Sequence, residues 1–461
     1  MRLSEMENTR VAILGMGREG QAVWRQIRRR YPYKPLCLFS ESVIDEEFAR
    51  QLNPSTDEIH IGPLSVTELS QFDLLVRSAG ISIYRDELVQ LRSKGMQFTT
   101  ACNLWFAQNP EAKTICISGT LGKSTTSSLI AHLLGRAGVK ACLAGNIGRP
   151  MLDCKDGSAD WWVIELSSYQ ISDLVAKPDI AVLLNIREEH LDWHRGFENY
   201  KADKMRIVQL ASDGKVITNF SDQVLKENLR NYPGIAWFNK TGTWQAGASC
   251  VFRQSGKPGQ WPVSEHEPSA ISQNHVDAPA SLPGEHNMQN LAAALTVLDV
   301  MGLECPRLDE ALSSFSGLPH RLQHIGVKNG IRYVDDSIST TPFSVAAALQ
   351  TMGNHDLVLL LGGMDRGLDW SGFATDVSGR LPHAIITMPD NGQRILDCLK
   401  AKGVEPDGGL HATSGLKEAV ELAEKLVPEK GCVLLSPGAP SFPHFRDYQD
   451  RGRQFARYSG F

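Results

Sequence analysis

Short apolar runs alternate with amphipathic segments over most of the 461-residue chain. The runs are rich in Val, Ile and Leu and are too short for helices, so they predict buried strands. Strands that alternate with helices predict an α/β fold whose largely parallel sheets are covered on both faces. The predicted strands lie within 10–23, 36–40, 73–81, 115–117, 161–168, 179–186, 215–220, 235–239, 330–337, 357–363, 384–388 and 432–436.

One region departs from this pattern. Residues 241–283 are rich in Gly, Ser, Pro and Gln and show little apolar periodicity. They predict an irregular and partly mobile surface, with room for one or two edge strands. A helical pattern resumes at Asn287.

The length of the chain and the spacing of its strands predict three domains. The first, 1–101, is expected to be a doubly wound, nucleotide-binding-like sheet. The second, 102–316, is expected to be a P-loop ATPase-like domain with a mostly parallel sheet. The third, 317–461, is expected to be a further α/β domain.

Composition narrows the class of protein. At 42% hydrophobic and 21% charged residues, the chain can build ordinary globular cores. A net charge of −5 gives no basic field, which argues against nucleic acid and membrane surfaces as partners. The nine cysteines form no C-x-x-C pair, the N-terminus is polar, and no apolar run reaches membrane-spanning length. We therefore expect reduced thiols and a cytoplasmic location.

The most informative stretch joins the apolar run 115–117 to the next helix. It reads Gly119-Thr120-Leu121-Gly122-Lys123-Ser124-Thr125 and is shorter than the usual phosphate-binding loop. Glycines allow backbone N–H groups to turn toward a phosphate, and the helix N-terminus adds partial positive charge. A lysine can neutralise phosphate oxygens, and a serine hydroxyl can bind Mg²⁺. The stretch predicts an ATP site; a plain strand–turn–helix is the alternative.

A second glycine motif follows the first strand. Gly15, Gly17 and Gly20 form G-x-G-x-x-G, and Glu41 follows the next strand. This spacing is typical of dinucleotide binding, with the carboxylate on a ribose. The motif alone is weak evidence for a dinucleotide. The same glycine turn can bind any nucleotide diphosphate, or can simply allow the strand and the helix to pack closely.

Three polar residues of the second domain are candidates for catalysis. Glu165 and His190 follow predicted strands, so both are expected at the carboxyl edge of the sheet, where a metal beside the nucleotide would lie. His190 and His194 are four residues apart, but the H-E-x-x-H pattern of zinc enzymes is not present. Lys204, judged from its helical spacing alone, is expected to be a solvated side chain.

Several motifs occur together in a fixed order, and jointly they are specific. They are GTLGKST (119–125), GNIG (145–148), ELSSYQ (165–170), NIREEHLD (185–192), YKADK (200–204), GEHNMQN (284–290), GLPHR (317–321) and DDS (335–337). With SAGI (78–81), this set resembles the Mur ligases, the ATP-dependent amino-acid ligases of peptidoglycan precursor synthesis. The resemblance covers nearly the whole chain. It implies a monomeric enzyme of cell-wall biogenesis that joins glutamate to UDP-N-acetylmuramoyl-L-alanine through an acyl phosphate.

The resemblance also implies roles for particular residues. ATP would be bound by Gly119, Thr120, Gly122, Lys123, Ser124, Thr125, Asn290, Arg321 and Asp336. The UDP-substrate would be bound by Gly15, Arg18, Ser40, Ser78, Asn146, Ser167 and Gln170. Catalysis would rest on Lys123, Glu165, His190 and Lys204. Of two Mg²⁺ ions, one would be held by Ser124 and Glu165 and one by His190 and Lys204, the lysine that is carbamylated in the family.

The third domain departs from the glutamate-adding pattern of the family. Ile338 and Arg366 stand where lysines are usual in the family. The segment 436–448, near the C-terminus, also differs from the family pattern. We expect this domain to close on ATP and to bind glutamate through Arg366, Ser441 and Tyr448. These changes lie in the domain that is expected to bind the amino acid, whereas the ATP motifs are intact. They therefore favour the family members that add L-glutamate over those that add D-glutamate. The rival classes are a nucleotide-dependent regulatory protein and an NAD-dependent oxidoreductase.

Overall fold

The computed structural model describes residues 1–147, 149–154, 159–211, 214–253, 275–277, 279, 281–353, 356–379 and 381–461. The chain forms two compact units. The larger unit comprises Met1–Pro279 and Glu285–Phe315, and the smaller comprises Ser316–Phe461 with a short segment that ends at Gly284. Within the described ranges, none of the helices combines the length and apolar character that a membrane crossing needs.

The larger unit begins with a five-stranded parallel sheet in the order β3-β2-β1-β4-β5. Its strands are β1 (Val11–Leu14), β2 (Leu36–Ser40), β3 (Asp57–Ile61), β4 (Leu74–Arg77) and β5 (Gln97–Thr100). Its helices are α1 (Arg18–Arg30), α2 (Glu46–Ala49), α3 (Val66–Leu69), α4 (Asp86–Ser93) and α5 (Ala101–Gln108). The strand order reverses between β1 and β4, and ligands of doubly wound sheets bind at such a switch point.

The second sheet of this unit has six parallel strands in the order β11-β10-β9-β6-β8-β7. Its strands are β6 (Thr114–Ser118), β7 (Ala141–Gly145), β8 (Trp161–Glu165), β9 (Ile180–Leu183), β10 (Lys215–Asn219) and β11 (Ile235–Phe238). The helices are α6 (Lys123–Arg136), α7 (Ser168–Ile171), α8 (Leu191–His194), α9 (Phe197–Leu210), α10 (Gln223–Leu229), α11 (Glu285–Met301) and α12 (Leu308–Ser313). The central strands β6 and β9 are buried along their whole length, which explains their continuous apolar runs.

A small antiparallel sheet lies where irregular surface was predicted. It consists of β12 (Gln245–Ala246), β13 (Cys250–Phe252) and β14 (His275–Asp277). The prediction allowed one or two edge strands here; the structure has three, and each buries too few apolar residues to show an alternating pattern. Trp244, almost fully buried beside them, donates its indole N–H to Asp299 at 2.9 Å. Residues 254–274, also predicted as irregular and partly mobile, lie outside the described residues.

The smaller unit contains a six-stranded sheet in the order β15-β16-β20-β17-β18-β19, with only β15 antiparallel. Its strands are β15 (Gln323–Lys328), β16 (Ile331–Asp335), β17 (Leu357–Gly362), β18 (Ala384–Met388), β19 (Leu410–Ala412) and β20 (Cys432–Leu435). Its helices are α13 (Pro342–Met352), α14 (Ser371–Ser378), α15 (Gly392–Ala401), α16 (Leu416–Leu426) and α17 (Tyr448–Ser459). Apolar cores lie on both faces of the sheet. The predicted α/β class with mostly parallel sheets is confirmed.

Candidate active site

The predicted phosphate-binding loop runs from the end of β6 at Ser118 to the start of α6 at Lys123. Gly119 and Gly122 have φ angles of 157° and 81°, which side-chain-bearing residues rarely adopt. A Cβ atom on Gly122 would also lie 2.2 Å from Oδ1 of Asn290, a residue of α11. The loop therefore depends on glycine for its backbone conformation, and it brings the candidate ATP residue Asn290 beside the helix N-terminus.

Asn185, which follows β9, holds the same loop in place. Its Oδ1 accepts a hydrogen bond from Leu121 N at 2.8 Å, and its Nδ2 donates to Leu121 O at 3.1 Å. Thr120 Oγ1 lies 2.7 Å from the hydroxyl of Tyr200. These contacts leave the N-terminus of α6 anchored from two sides, so the loop is already shaped for an anion.

Two lysines converge on one carbonyl group at this loop. Lys123 Nζ donates to the carbonyl oxygens of Gly119 and Thr120 at 2.9 and 2.7 Å, and Lys204 Nζ donates to that of Gly119 at 2.8 Å. Lys204 is only 1% exposed, so its expected solvation was wrong. The packing of α9 against the loop buries Lys204, and helical spacing alone does not reveal this packing. Burial, and then the charge of Lys123, hold the pKa of Lys204 well below its usual value.

Glu165 ends β8 and reaches the same edge of the sheet. It is 1% exposed; Oε1 accepts a hydrogen bond from Asn146 Nδ2 at 2.7 Å, whereas Oε2 is buried without a hydrogen-bond partner. An unpaired buried carboxylate oxygen is costly, and a cation would relieve that cost. The residue therefore fits the proposed magnesium ligand.

His190 precedes α8 in a left-handed backbone conformation with φ of 56°. Its ring packs on Tyr169 with centroids 4.9 Å apart, and Nε2 lies 3.7 Å from Oε2 of Glu189. Burial lowers the pKa of His190, which favours the neutral imidazole that binds metals.

Ser124, on the first turn of α6, is half-buried. Oxygen donors beside a phosphate site are what Mg²⁺ prefers, so Ser124 and Glu165 fit that ion.

The zinc alternative finds no support at His194. Its Nδ1 lies 2.7 Å from Oδ2 of Asp203, and its Nε2 lies 2.9 Å from Oγ of Ser168. Both ring nitrogens are therefore engaged with other side chains.

The candidate residues for the uridine diphosphate cluster at the carboxyl edge of the first sheet. Gly15 has φ of 85° and donates its N–H to Phe39 O at 2.8 Å, and Ser78 Oγ donates to Gly15 O at 2.6 Å. A Cβ atom on Gly20 would lie 2.0 Å from Gly15 O, so at least this glycine of the motif serves close packing. Ser40, at the end of β2, donates to Ser42 O at 2.7 Å. Glu41, the residue that a dinucleotide site would use, forms a 2.6 Å ion pair with Arg85.

A line of contacts leads from this edge to the second sheet. Arg18 Nη2 donates to Asn146 O at 3.3 Å, and Gln170 Nε2 donates to Glu19 Oε1 at 2.6 Å. Ser167 and Gln170 form a capping box at the start of α7. The structure thus connects Arg18 to Glu165 through Asn146, whereas Gln170 contacts Glu19 and Ser167. Gly148, the last residue of the GNIG motif, lies outside the described residues.

In the smaller unit, Asp336 follows β16 and is 3% exposed. Its carboxylate accepts hydrogen bonds from the hydroxyls of Ser339 and Ser436 and from the N–H of Leu322. Burial nevertheless raises the pKa of Asp336 to about 6, against the weaker lowering effects of these bonds and of Arg321. Arg321 itself is exposed.

The three candidate glutamate ligands lie on two loops and one helix of this unit. Arg366 is exposed in the loop after β17, and Ser441 is buried in the loop after β20. These loops meet where Met364 N donates to Pro440 O at 3.1 Å. Tyr448 begins α17. Among the described residues, no hydrogen bond joins the three side chains to one another.

Comparison with known proteins decides the family. The model of the Mur ligase middle domain matches residues 117–298, and the model described as "Mur ligase, glutamate ligase domain" matches residues 320–438. The chain belongs to the Mur ligase family. Mur ligases are ATP-dependent, ADP-forming amide ligases, and this Mur ligase is an enzyme of that class.

Two relatives that match this chain over its full length have the same name. A protein of Xanthomonas oryzae pv. oryzae is 39% identical over 474 residues, covering 100% of this chain and 97% of the relative. A protein of Salinispora tropica is 33% identical, covering 99% and 98%. Both are named UDP-N-acetylmuramoyl-L-alanine–L-glutamate ligase. The solved UDP-N-acetylmuramate–alanine ligase of Thermotoga maritima shares the fold with a TM-score of 0.60 at 19% identity, covering 98% of this chain and 99% of that one.

Several residues that shape this Mur ligase site received no role from sequence reasoning. Asn185 and Glu189 stand inside the NIREEHLD motif, which marked the stretch but not the function of each position. Tyr200 begins YKADK, and its hydroxyl contact with Thr120 shows why an aromatic residue stands there. His194 was considered only as a metal ligand, although its partners are buried side chains.

Proposed function

We propose that this Mur ligase joins glutamate to UDP-N-acetylmuramoyl-L-alanine, with conversion of ATP to ADP and phosphate, in peptidoglycan precursor synthesis. The observation that carries the proposal is the buried cluster at Gly119. Two lysines contact one carbonyl oxygen, and Glu165 presents an unpartnered carboxylate oxygen at the same sheet edge. Such a cluster suits a triphosphate with a divalent cation, and the names of the full-length relatives supply the substrate class.

The chemistry balances in two steps. First, a carboxylate oxygen of the alanine attacks the γ-phosphorus of ATP, which gives an acyl phosphate and releases ADP. Second, the amine of glutamate attacks the carbonyl carbon, the phosphate leaves with the bridging oxygen, and the amine loses a proton as the amide forms. Lys123 and the N–H groups of the loop neutralise charge on the phosphoryl oxygens, while the remaining residues hold the reactants in line.

Magnesium would be held at two positions, one by Ser124 and Glu165 and one by His190 and Lys204. When bound, it would neutralise negative charge on the phosphate oxygens. Lys204 is a credible ligand only as a carbamate, since a protonated lysine repels a cation. Its lowered pKa supports this idea, because the neutral amine is the form that reacts with carbon dioxide. The carbamate would also place an anion beside the positive charge of Lys123.

The ligand sets follow from the family resemblance and from the placement of the side chains. We assign ATP to the loop 119–125, Asn290, Arg321 and Asp336. We assign the UDP-substrate to Gly15, Arg18, Ser40, Ser78, Asn146, Ser167 and Gln170. The domain boundaries 1–101, 102–316 and 317–461, a monomeric state and a cytoplasmic location remain predictions.

We further propose that the amino acid is L-glutamate, bound with the help of Arg366, Ser441 and Tyr448. The full-length relatives bear the L-glutamate name. A guanidinium can bind a carboxylate through two parallel hydrogen bonds, which a lysine cannot do. Ile338 removes a second cation, so the carboxylates of glutamate must be anchored differently than with two lysines. A displaced anchor changes which enantiomer can aim its amine at the acyl phosphate.

ADP release tests the proposal. The enzyme is incubated with ATP, Mg²⁺ and UDP-N-acetylmuramoyl-L-alanine, with L-glutamate or D-glutamate in parallel, and the product mass is measured. ADP formation is expected only when all substrates are present, with kcat/KM for L-glutamate at least about tenfold higher. If product formed with D-glutamate and not with L-glutamate, the stereochemical part of the proposal would be overturned. Nucleotide binding without ADP release would instead favour a regulatory protein.

A further inference from the structure

His194 lies at the centre of a buried polar network that the proposed chemistry does not use. It is 0% exposed and connects Asp203 of α9 with Ser168 of α7. The hydroxyl of Tyr84, which comes from the first sheet region, also contacts Asp203 Oδ2 at 3.0 Å. Four side chains from separate parts of the sequence thus meet inside the larger unit.

The hydrogen-bond roles in this network follow from the chemistry of its members. A carboxylate can only accept, so His194 donates from Nδ1 and Tyr84 donates its O–H to Asp203. His194 Nε2 and the Ser168 hydroxyl share the remaining hydrogen bond. Each member has a partner, as buried polar groups require.

Three of the proposed magnesium ligands, Glu165, His190 and Lys204, lie outside the phosphate loop. Each of them is close to a member of this network, in sequence or through a ring contact. Asp203 immediately precedes Lys204 on α9, and Ser168 follows Glu165 in the ELSSYQ motif. Tyr169, beside Ser168, stacks on Trp193 at 4.4 Å and contacts the ring of His190. The three ligand-bearing segments are therefore fastened to one another through a single imidazole and its neighbours.

The same imidazole is linked to the first sheet region. Ser82 Oγ donates to Trp193 O, and Trp193 Nε1 donates to Gly80 O at 3.2 Å. With the Tyr84 bond to Asp203, these contacts join α8 and α9 to the segment 80–84. A ligand held by side chains whose own positions are locked in this way binds more tightly and reacts in better geometry.

We propose that His194 is a positioning residue that sets the mutual placement of Glu165, His190 and Lys204 for the two proposed magnesium ions. It does so by bridging Asp203 and Ser168, and it contacts neither nucleotide nor metal. This inference rests on the proposed function only in taking those three residues as magnesium ligands.

The test uses the full-length enzyme and two His→Phe variants. His194→Phe keeps an aromatic ring against Tyr169 and Trp193 but removes both hydrogen bonds. His132→Phe is the control, because His132, near the end of α6, also loses its hydrogen bonds in this change: its Nε2 lies 2.7 Å from Ala311 O and 3.2 Å from Ser314 Oγ. The measurement is the Mg²⁺ concentration that gives half-maximal binding of a non-hydrolysable ATP analogue, followed by calorimetry, together with Tm.

We expect His194→Phe to raise that Mg²⁺ concentration at least tenfold and to lower kcat about 100-fold. His132→Phe should lower Tm to a similar extent but leave the Mg²⁺ dependence within about twofold. Adding Ser168→Ala to His194→Phe should change little further, because the two residues act through one bridge. A His194→Phe enzyme with lowered Tm and unchanged Mg²⁺ dependence would overturn the proposal and leave a merely structural histidine.

Should His194→Phe fail to fold, Ser168→Ala and Tyr84→Phe each remove a single hydroxyl. We expect each to raise the required Mg²⁺ concentration about three- to tenfold, and an unchanged value in both would refute the proposal. Nucleotide binding needs neither the UDP-substrate nor glutamate. A wild-type enzyme that binds Mg²⁺ and nucleotide but forms no amide would therefore contradict the proposed function while still testing His194.

Discussion

Asp336 offers a prediction that can be worked out from its surroundings. Its carboxyl is buried, and its pKa is raised from 3.8 to about 6. Below pH 3.8 the group is protonated in both the folded and the unfolded chain and has no effect on stability. Between pH 3.8 and 6 only the unfolded chain ionises, so the free energy of unfolding falls as pH rises. Above pH 6 the full cost, about 3 kcal/mol, is present.

The perturbation is Asp336→Asn, which removes the charge while keeping the shape. The hydroxyls of Ser339 and Ser436 can turn to accept from the new amide, so the loss of hydrogen bonding is small and does not vary with pH. Relative to the wild type, the variant should therefore gain about 2 kcal/mol more stability at pH 7.5 than at pH 4.5. The same variant should lose ligase activity if Asp336 contacts the nucleotide, which is a common trade between stability and function.

The assay must report on the smaller unit of the intact chain. Trp370 is almost fully buried in that unit, so its ¹⁹F signal in 5-fluorotryptophan-labelled protein can follow unfolding in urea. Asp376→Asn, at an exposed position of α14, is the control and should change stability by less than about 0.5 kcal/mol at either pH. An equal stability change for Asp336→Asn at both pH values would refute the reasoning.

Three further predictions concern the loop and its lysines. Lys123→Ala should retain the fold by circular dichroism but lose at least about 10³-fold in kcat, since it removes a charge facing the transferred phosphoryl group; a residual kcat above a tenth would contradict the assignment. Lys204→Ala should be inactive and partly rescued by acetate or another small carboxylate that restores an anion, and failure of every acid tested would count against the carbamate. Gly122→Ala should weaken binding of the ATP analogue at least tenfold, because the left-handed backbone costs about 1 kcal/mol and its Cβ would displace Asn290; unchanged affinity would show that the loop adapts.

The sequence predicted the interior of each large sheet and missed strands at the edges. β6, β9 and β17 are buried throughout, so their apolar runs are continuous. In the three large sheets, the strands that escaped prediction are β3, β5, β7, β15 and β19, and each lies at the edge of its sheet. Edge strands face solvent on one side and have one pairing partner. Polar and small residues suffice there, as in DEIHI of β3, so no apolar pattern distinguishes them from a loop.

The candidate site shows the same division. The loop 119–125 could be placed from its glycines and lysine, because the backbone conformation and the chemistry both require those residue types. The helical spacing of Lys204 did not predict its burial, which arises from the packing of α9 against a loop about 85 residues earlier in the chain; only the family resemblance placed this lysine at the site. The hydrogen-bond partners of His194 are Ser168 and Asp203, and Tyr84 joins the network through Asp203; no local pattern brings such residues together.

The central claim is that the chain activates a substrate carboxylate as an acyl phosphate. The most direct test uses UDP-N-acetylmuramoyl-L-alanine carrying ¹⁸O in both carboxylate oxygens, with ATP, Mg²⁺ and L-glutamate, and mass analysis of the released phosphate. The account predicts one ¹⁸O atom in each phosphate and the other in the amide product. ADP formation with phosphate that contains no ¹⁸O would show that water, and not the carboxylate, attacks ATP, and would contradict the account.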